Sequence, residues 1–310
     1  MQDPSIEIAL IGAGTIGLSF AALHLTQNPN CTITIHDTRP DLQTYIQRHL
    51  PTYLPENANQ EPYLARLSFA NELPTAVKNA QIVQEQGPEN LEFKVAIWAE
   101  IERHAREDAL FWSSTSGIPA SAQSREMQDP TRLLVVHPYN PPHIMPLLEV
   151  VPAPQQTAEA VVENTLEYWR ELGRTPVVVK KECTGFVANR LAFALFREAC
   201  SLVASGVVDV KELDEIVQAS MGPRWTVAGP FKSYHAGGGE GGLTSFMEKI
   251  GGTVKNCWDA SKEDVTANDV SVGGKWQEDV CKQADEAYGV VDTAERDMKT
   301  RKVLSAVADS

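Results

Sequence analysis

The chain has 310 residues, more than one typical domain, and its 43% hydrophobic content is enough to fill sizeable cores. A formal net charge of −14 argues against nucleic acid or an anionic membrane as a partner, because counterion release would not favour either complex. No apolar run approaches the roughly 20 residues that span a bilayer, and the N-terminus enters the first strand without a leader segment, which predicts a cytoplasmic protein.

The first predicted element is an apolar strand over residues 6–11, and three glycines follow it: Gly12, Gly14 and Gly17. Helical apolar spacing over 16–25 completes a strand, a turn and a helix. In that context Gly12 would permit the tight turn, Gly14 would let the backbone approach a diphosphate, and Gly17 would let the helix pack closely on the strand. Against the alternative of ordinary packing glycines, we predict a dinucleotide-binding loop formed by Gly12, Gly14, Thr15, Ile16 and Gly17.

The second predicted strand, 32–36, ends in Asp37, twenty residues after Gly17. A carboxylate there is placed to bind the ribose hydroxyls and to repel a 2′-phosphate, so the predicted cofactor is NAD rather than NADP. Arg39, two positions further on, weakens this preference, because a cation favours the 2′-phosphate.

Short apolar strands and helical stretches alternate through the rest of the first half. Predicted strands cover 66–70, 81–85, 110–114, 133–136, 145–151 and 176–179, and predicted helices cover 41–53, 90–106, 120–127 and 157–172. This alternation predicts an α/β fold with a Rossmann-type, doubly wound, mostly parallel sheet covered by helices on both faces.

From Thr184 onward the pattern changes to long helices, predicted over 185–204 and 210–221. We therefore predict a boundary near Cys183, with an NAD-binding domain at 1–183 and an all-helical domain for substrate binding and dimerisation at 184–310. The glycine-rich run 237–242 is predicted to be either a loop at the mouth of the active site or a hinge. The acidic tail, 259–310, is predicted to be surface helix and loop.

Five cysteines are scattered without any CxxC spacing, which predicts buried thiols rather than a disulfide framework or a zinc site: Cys31, Cys183, Cys200, Cys257 and Cys281.

A candidate proton carrier lies downstream of the glycine loop. His137 opens the run His-Pro-Tyr-Asn-Pro-Pro, and Glu149 lies in the next apolar segment. A histidine can take a proton near neutral pH, and a carboxylate on its other nitrogen would fix its tautomer. Together with a hydride carrier, this pair predicts an alcohol or ketone oxidoreductase. The alternatives are a turn histidine before a proline and a glutamate in a surface ion pair.

Three blocks of the chain, 8–37, 113–151 and 173–190, resemble the 3-hydroxyacyl-CoA dehydrogenase superfamily, and most of all its branch containing L-gulonate 3-dehydrogenase, or lambda-crystallin. The active site of that family consists of a serine, a histidine, a glutamate and an asparagine. By motif these fall on Ser116, His137, Glu149 and Asn189.

The resemblance further implies that Glu89 and Lys94 lie near the nicotinamide ribose, and that the helical domain forms a homodimer. In the chemistry we predict, His137 takes the hydroxyl proton and Glu149 orients it, while Ser116 and Asn189 hydrogen-bond the substrate oxygen.

The predicted substrate is a small free hydroxy acid, as in the gulonate branch. A CoA substrate would require basic residues after the second strand, but 41–67 offers only two against three acidic residues: Arg48 and Arg66 against Asp41, Glu56 and Glu61. Arg224 is the candidate partner for the substrate carboxylate, with an interdomain salt bridge as the alternative.

Three aromatic residues near Arg224 leave a second substrate class open, namely Trp225, Phe231 and Tyr234. They would suit a quaternary ammonium, as carnitine 3-dehydrogenase, a relative of similar motifs, would require; alternatively they belong to the core. A protein of another class, an idle NAD-binding structural or sensor protein, also remains open, although an intact set of four site residues argues against it.

Overall fold

The computed structural model describes residues 6–55 and 58–308. Glu56, counted above among the acidic residues after the second strand, lies outside the described residues. The chain divides into two compact units, the first ending at Arg190 and the second beginning at Leu191. The domain boundary near Cys183 stays a prediction.

The first unit is built on an eight-stranded sheet. Its strands are β1 Ile6–Ile11, β2 Cys31–His36, β3 Leu67–Ala70, β4 Ile82–Glu85, β5 Leu110–Ser113, β6 Leu133–Pro138, β7 Leu147–Pro152 and β8 Thr175–Val178. Their order is β3-β2-β1-β4-β5-β6-β7-β8, and every neighbouring pair is parallel except β6 and β7. The order reverses between β1 and β4, which creates the crevice where ligands bind in open α/β sheets. The predicted Rossmann-type sheet is confirmed.

Helices cover both faces of this sheet. They are α1 Thr15–Gln27, α2 Leu42–His49, α3 Glu61–Leu64, α4 Leu73–Val77, α5 Leu91–His104, α6 Ala120–Gln123 and α7 Glu159–Glu171. The predicted helix 41–53 is α-helical only to His49, and a 3₁₀ turn follows over Leu50–Tyr53. Pro51 explains the change, because proline lacks an N–H donor and restricts the residue before it.

The two faces of the sheet bury different side chains. An aromatic cluster fills one face, where Phe20 and His24 of α1 meet Trp112 of β5 and two residues of α7, Tyr168 and Trp169. The opposite face buries Trp98 of α5 against Phe111 of β5. Burial on both faces agrees with the nearly continuous apolar strands of the sequence.

Helix α8, Ala188–Ala204, begins in the first unit and continues into the second. It starts three residues later than predicted, because Gly185 and Phe186 have φ values of 72° and 50° and form a turn. The second unit adds α9 Val210–Ala219, α10 Met221–Val227, α11 Pro230–Gly237, α12 Gly242–Ala267, α13 Trp276–Tyr288 and α14 Thr293–Ala308. The helical character predicted for this part is confirmed.

The glycine-rich run connects α11 to α12 through a 3₁₀ turn over Gly239–Gly241. Gly239 and Gly242 have φ values of 67° and 58°, a conformation that glycine adopts without a Cβ clash. Whether this connection borders the active site or acts as a hinge stays a prediction.

The structure bears on two predictions from the sequence, the absence of a membrane-spanning segment and the burial of the cysteines. Within 6–55 and 58–308, no helix has both the length and the apolar character needed to cross a membrane. The described cysteines are free, and Cys31 and Cys200 are buried. The prediction of buried thiols is wrong for Cys257 and Cys281, which are exposed because α12 and α13 turn these positions outward.

Candidate active site

The loop between β1 and α1 has the geometry predicted for it. Gly12 has a φ of 111°, which disfavours any other residue, and a Cβ on Gly17 would overlap the carbonyl oxygen of Gly12. A Cβ on Gly14, by contrast, would meet no heavy atom within 4 Å. Because α1 begins at Thr15, its free backbone N–H groups face this open space, and Ile16 follows in the first turn. The loop therefore fits a diphosphate.

Asp37 is held against this loop. One carboxylate oxygen accepts a hydrogen bond from Ala13 N at 2.7 Å, and the other accepts from Arg39 N at 3.0 Å. The Arg39 guanidinium stacks over the Tyr45 ring at 3.4 Å and lies 3.3 Å from Asp41 Oδ1. The Asp37 carboxylate beside the loop favours NAD over NADP, whereas Arg39, whose Nε has no hydrogen-bond partner among the described residues, still weakens this preference.

Gln86, directly after β4, adds a further sign that a polar ligand belongs here. Its side-chain oxygen and nitrogen are buried without a hydrogen-bond partner among the described residues. Its amide oxygen lies 3.6 Å from the position of a Cβ on Gly17, so the unpartnered group borders the loop. Buried amides usually have partners, and a bound dinucleotide offers acceptors for the amide nitrogen and hydroxyl donors for the amide oxygen.

The strand pair β6 and β7 brings His137 and Glu149 together. The two residues are directly opposite in the antiparallel register, and both are buried. His137 Nδ1 lies 2.8 Å from Glu149 Oε2. Because Nδ1 is bound to the carboxylate, Nε2 is the nitrogen that can take a proton from a substrate.

The turn before α8 completes the environment of this pair. Glu149 Oε1 accepts hydrogen bonds from Val187 N at 2.8 Å and Ala188 N at 3.0 Å. The ring of Phe186, fully buried, packs against the His137 ring with centroids 5.2 Å apart. The N-terminus of α8 thus donates to the carboxylate, and a helix N-terminus favours negative charge.

These contacts set the charge of Glu149. Burial by itself would raise the pKa of Glu149, but hydrogen bonds from His137, Ala188 and Val187 together hold that pKa below its ordinary value. The carboxylate therefore stays ionised, and it can stabilise the positive charge that His137 would gain.

Ser116 and Asn189 lie on two turns that approach each other. Ser116 is exposed, in the turn after β5, and Asn189 is half-buried, in the first turn of α8. A Cβ on Gly117 would lie 3.5 Å from Gly185 N, which measures how closely the two turns approach. Ser116 N and Thr115 Oγ1 both donate hydrogen bonds to Glu89 Oε1.

Lys94 is not on the surface of the crevice. Its Nζ is buried and lies 2.8 Å from each carboxylate oxygen of Glu85. Glu85 also accepts hydrogen bonds from Gly87 N at 2.6 Å and from Ser113 Oγ at 3.1 Å. The predicted contact of Lys94 with the nicotinamide ribose stays a prediction without support from this geometry.

The residues proposed for substrate binding in the second unit are all exposed: Arg224 and Trp225 on α10, and Phe231 and Tyr234 on α11. The Tyr234 ring packs on Phe246 of α12 with centroids 5.0 Å apart. Their roles toward a substrate stay predictions.

Sequence reasoning missed Phe186, Glu85 and the backbone N–H groups of Val187 and Ala188. Phe186 carried one usable signal, because large aromatic side chains contribute much of the buried area of protein cores. The backbone donors carried none, because donation to Glu149 depends on the φ values of the turn.

Comparison with known protein families gives two adjoining matches. Residues 7–183 match the model described as "3-hydroxyacyl-CoA dehydrogenase, NAD binding domain". Residues 185–270 match the C-terminal domain of the same family.

Curated relatives cover most of the chain. An L-carnitine dehydrogenase of Streptomyces griseus is 34% identical over 97% of this chain and 89% of its own. An L-carnitine dehydrogenase of Streptomyces coelicolor is 33% identical over 97% and 94%. A 3-hydroxyacyl-CoA dehydrogenase of Gibberella moniliformis is 34% identical over 81% and 79%.

Solved structures agree on the architecture. FHMPC 5-dehydrogenase, described as an NAD+ dependent dismutase, superposes with a TM-score of 0.70 and 30% identity, covering 81% of each chain. Mycobacterium tuberculosis FadB2 superposes with a TM-score of 0.62 and 25% identity, covering 71% of this chain and 79% of that one.

Proposed function

The chain belongs to the 3-hydroxyacyl-CoA dehydrogenase family and is an NAD-dependent oxidoreductase, and on that premise we propose that it oxidises the 3-hydroxyl of a small, free, L-carnitine-like hydroxy acid. The observation that carries this proposal is the buried pair of His137 and Glu149. A histidine that is oriented on one nitrogen and free to act on the other has the properties of a general base.

The proposed reaction assigns one task to each group. When bound, NAD supplies the nicotinamide that accepts hydride from the substrate carbon. His137 Nε2 takes the hydroxyl proton, so the alcohol becomes a ketone with one proton and one hydride removed. Glu149 stabilises the charged ring, and Ser116 and Asn189 hydrogen-bond the substrate oxygen.

The region after β2 supports a free acid over a CoA thioester. Of its two arginines, Arg66 donates to the carbonyl oxygens of three residues that precede or begin β2, namely Leu25, Asn28 and Cys31. Only Arg48 is left exposed, too little charge for the several phosphates of CoA.

The names of the relatives support a quaternary ammonium over a sugar acid. The predicted gulonate branch gains no support from them, whereas two L-carnitine dehydrogenases cover 97% of this chain. We propose that Trp225, Phe231 and Tyr234 contact the ammonium group and that Arg224 binds the carboxylate. Exposed aromatic rings and an exposed guanidinium have the chemistry that each group requires.

We also propose that the protein forms a homodimer through its helical part. Large apolar side chains are exposed along these helices, namely Leu191, Phe193, Phe196, Val227 and Trp258. Exposed apolar surface of this extent is typical of a protein interface. Light scattering after gel filtration would test the mass, and a monomer at micromolar concentration would contradict the proposal.

A panel of four substrates tests the proposed function through NADH formation. L-Carnitine should have a kcat/KM about tenfold above that of 3-hydroxybutyrate, which lacks the ammonium group, because a cation–π contact contributes roughly 1–2 kcal/mol. L-Gulonate and 3-hydroxybutyryl-CoA should be poorer. A higher kcat/KM for 3-hydroxybutyryl-CoA than for L-carnitine would show that the protein acts on acyl-CoA substrates. NADH binding without turnover of any substrate would favour a structural or sensor protein without catalytic activity.

A further inference from the structure

Glu89 connects two segments beside the proposed active site, namely the loop between β4 and α5 and the turn after β5. It lies between β4 and α5, and its Oε1 accepts from two groups of the turn after β5. Thr115 Oγ1 donates to it at 2.6 Å, and Ser116 N donates to it at 3.2 Å. The carboxylate oxygen therefore contacts the residue before Ser116 and Ser116 itself.

The single hydroxyl proton of Thr115 makes this contact directional. A carboxylate can only accept, so the Thr115 hydroxyl must donate to Glu89. Its lone pairs then remain to accept from Gly117 N at 3.3 Å and Ile118 N at 3.0 Å. Glu89 thus orients the hydroxyl that closes the turn around Ser116.

The backbone around Glu89 is fixed on both sides. On the strand side, Glu85 accepts from Gly87 N and pairs with the buried Lys94 of α5. On the helix side, Asn90 Oδ1 accepts from Phe93 N at 2.9 Å and caps α5. Glu89 is therefore an exposed carboxylate on a rigid base, able to hold the Ser116 turn in place.

We propose that Glu89 is a positioning residue that holds the Thr115–Ser116 turn so that the Ser116 hydroxyl meets the substrate oxygen. The inference rests on the proposed function, because it needs Ser116 to contact substrate. It differs from the role implied by family resemblance, in which Glu89 contacts the nicotinamide ribose. The positioning role predicts a lower kcat with an unchanged Kd for NADH when Thr115 loses its hydroxyl, whereas a ribose contact predicts weaker NADH binding only when Glu89 is replaced.

Four variants separate these roles: Glu89→Ala, Thr115→Val, the double variant, and Glu92→Ala as the control. Glu92 lies three residues further on, is exposed, and pairs only with the surface residue Arg125 among its described contacts. Each single variant should lower kcat about tenfold, the effect of one lost hydrogen bond. The double variant should be little worse than either single one, because both changes remove the same link.

Two further measurements, NADH binding and the recovery of kcat in a conservative variant, distinguish a positioning residue from one that only stabilises the fold. The Kd for NADH should stay within about twofold in Thr115→Val and in Glu92→Ala, a difference of about 0.4 kcal/mol. Glu89→Gln keeps an oxygen acceptor and should recover most of kcat. A normal kcat in Thr115→Val, beside a Kd for NADH that rises about tenfold in Glu89→Ala, would make Glu89 a cofactor ligand alone and overturn the inference.

Amide hydrogen exchange tests the link without any turnover. Exchange at Ser116 N should quicken in Glu89→Ala, because this variant removes its acceptor, and exchange at Gly117 N should quicken because the Thr115 hydroxyl that accepts from it is no longer oriented. Both rates should stay unchanged in Glu92→Ala. Unchanged exchange in Glu89→Ala overturns the inference. If exchange quickens in Glu89→Ala but the unmodified protein oxidises none of the four substrates, the contact between Glu89 and the Ser116 turn is supported. Only the proposed function is then contradicted.

Discussion

His137 Nδ1 lies 2.8 Å from Glu149 Oε2 across the antiparallel pair formed by β6 and β7. The register of that pair, rather than the length of the loop between the strands, brings the side chains together. The carboxylate is held in turn by the N-terminus of α8, so three elements determine the position of one imidazole ring.

Loss of either member of this pair should remove most of the activity. His137→Gln and Glu149→Gln should each lower kcat by roughly 10²–10⁴-fold, the usual contribution of a positioned general base. The double variant should be little worse than the more damaging single one, because the residues act as a unit. Steady-state kinetics and NADH titration would measure both effects. Near-normal turnover by a folded, NADH-binding His137→Gln protein would make His137 a structural residue of β6 and not the general base.

The lowered pKa of Glu149 predicts a pH-dependent effect on stability. A carboxyl group whose pKa is lowered by folding stabilises the protein above its ordinary value of 4.5, and this contribution is lost as the pH falls through the lowered value. Glu149→Gln should therefore reduce the free energy of unfolding most near neutral pH. The difference from the unmodified protein should shrink in acid, as measured by urea unfolding. If the difference in free energy of unfolding does not change with pH, Glu149 is not ionised in the folded protein.

His24 should make the protein less stable in mild acid. Burial, opposed only in part by the hydrogen bond with Gln84, lowers the pKa of His24 from 6.5 to about 4. An unfolded histidine takes a proton at the ordinary value, so the free energy of unfolding should fall by about 1.4 kcal/mol per pH unit between these values. Urea unfolding between about pH 7 and pH 5 would measure the slope. His24→Gln should flatten it, whereas His104→Gln on the surface should not.

The buried pair of Lys94 and Glu85 should matter more for stability than for NADH binding. Lys94→Met leaves a buried carboxylate without its partner and should cost about 3–5 kcal/mol in free energy of unfolding. The exposed Lys78→Met should change that free energy by less than about 0.5 kcal/mol. Combining Lys94→Met with Glu85→Gln should recover part of the loss. A stable Lys94→Met protein with weakened NADH binding would instead support the ribose contact.

Asp37 should determine the choice between the two nicotinamide cofactors. The protein should bind NADH more tightly than NADPH, because the carboxylate repels a 2′-phosphate, and Asp37→Ala should narrow the gap. Fluorescence titration with each reduced cofactor would measure both affinities. Equal affinities in the unmodified protein would show that Arg39 outweighs the carboxylate.

The sheet and the cofactor loop could both be predicted from the amino-acid sequence. Strand positions follow from apolar runs, and the roles of Gly12, Gly14 and Gly17 follow from their spacing after the first run. These features are local, since the residues that define them are within one element of each other. The structure contains every predicted strand, with ends that differ by a few residues, and the family match confirms NAD as the cofactor.

The contacts among the groups around the site could not be predicted in this way, because they form only when the chain is folded. The backbone donors to Glu149, the burial of Lys94 against Glu85 and the hold of Glu89 on the Ser116 turn join segments that are distant in sequence. No periodicity encodes such contacts, because they depend on sheet order and on the φ values of the turn at Gly185 and Phe186. The family resemblance implies that Glu89 and Lys94 both lie near the nicotinamide ribose, which stays a prediction. In the folded chain Glu89 contacts the Ser116 turn, and Lys94 contacts Glu85.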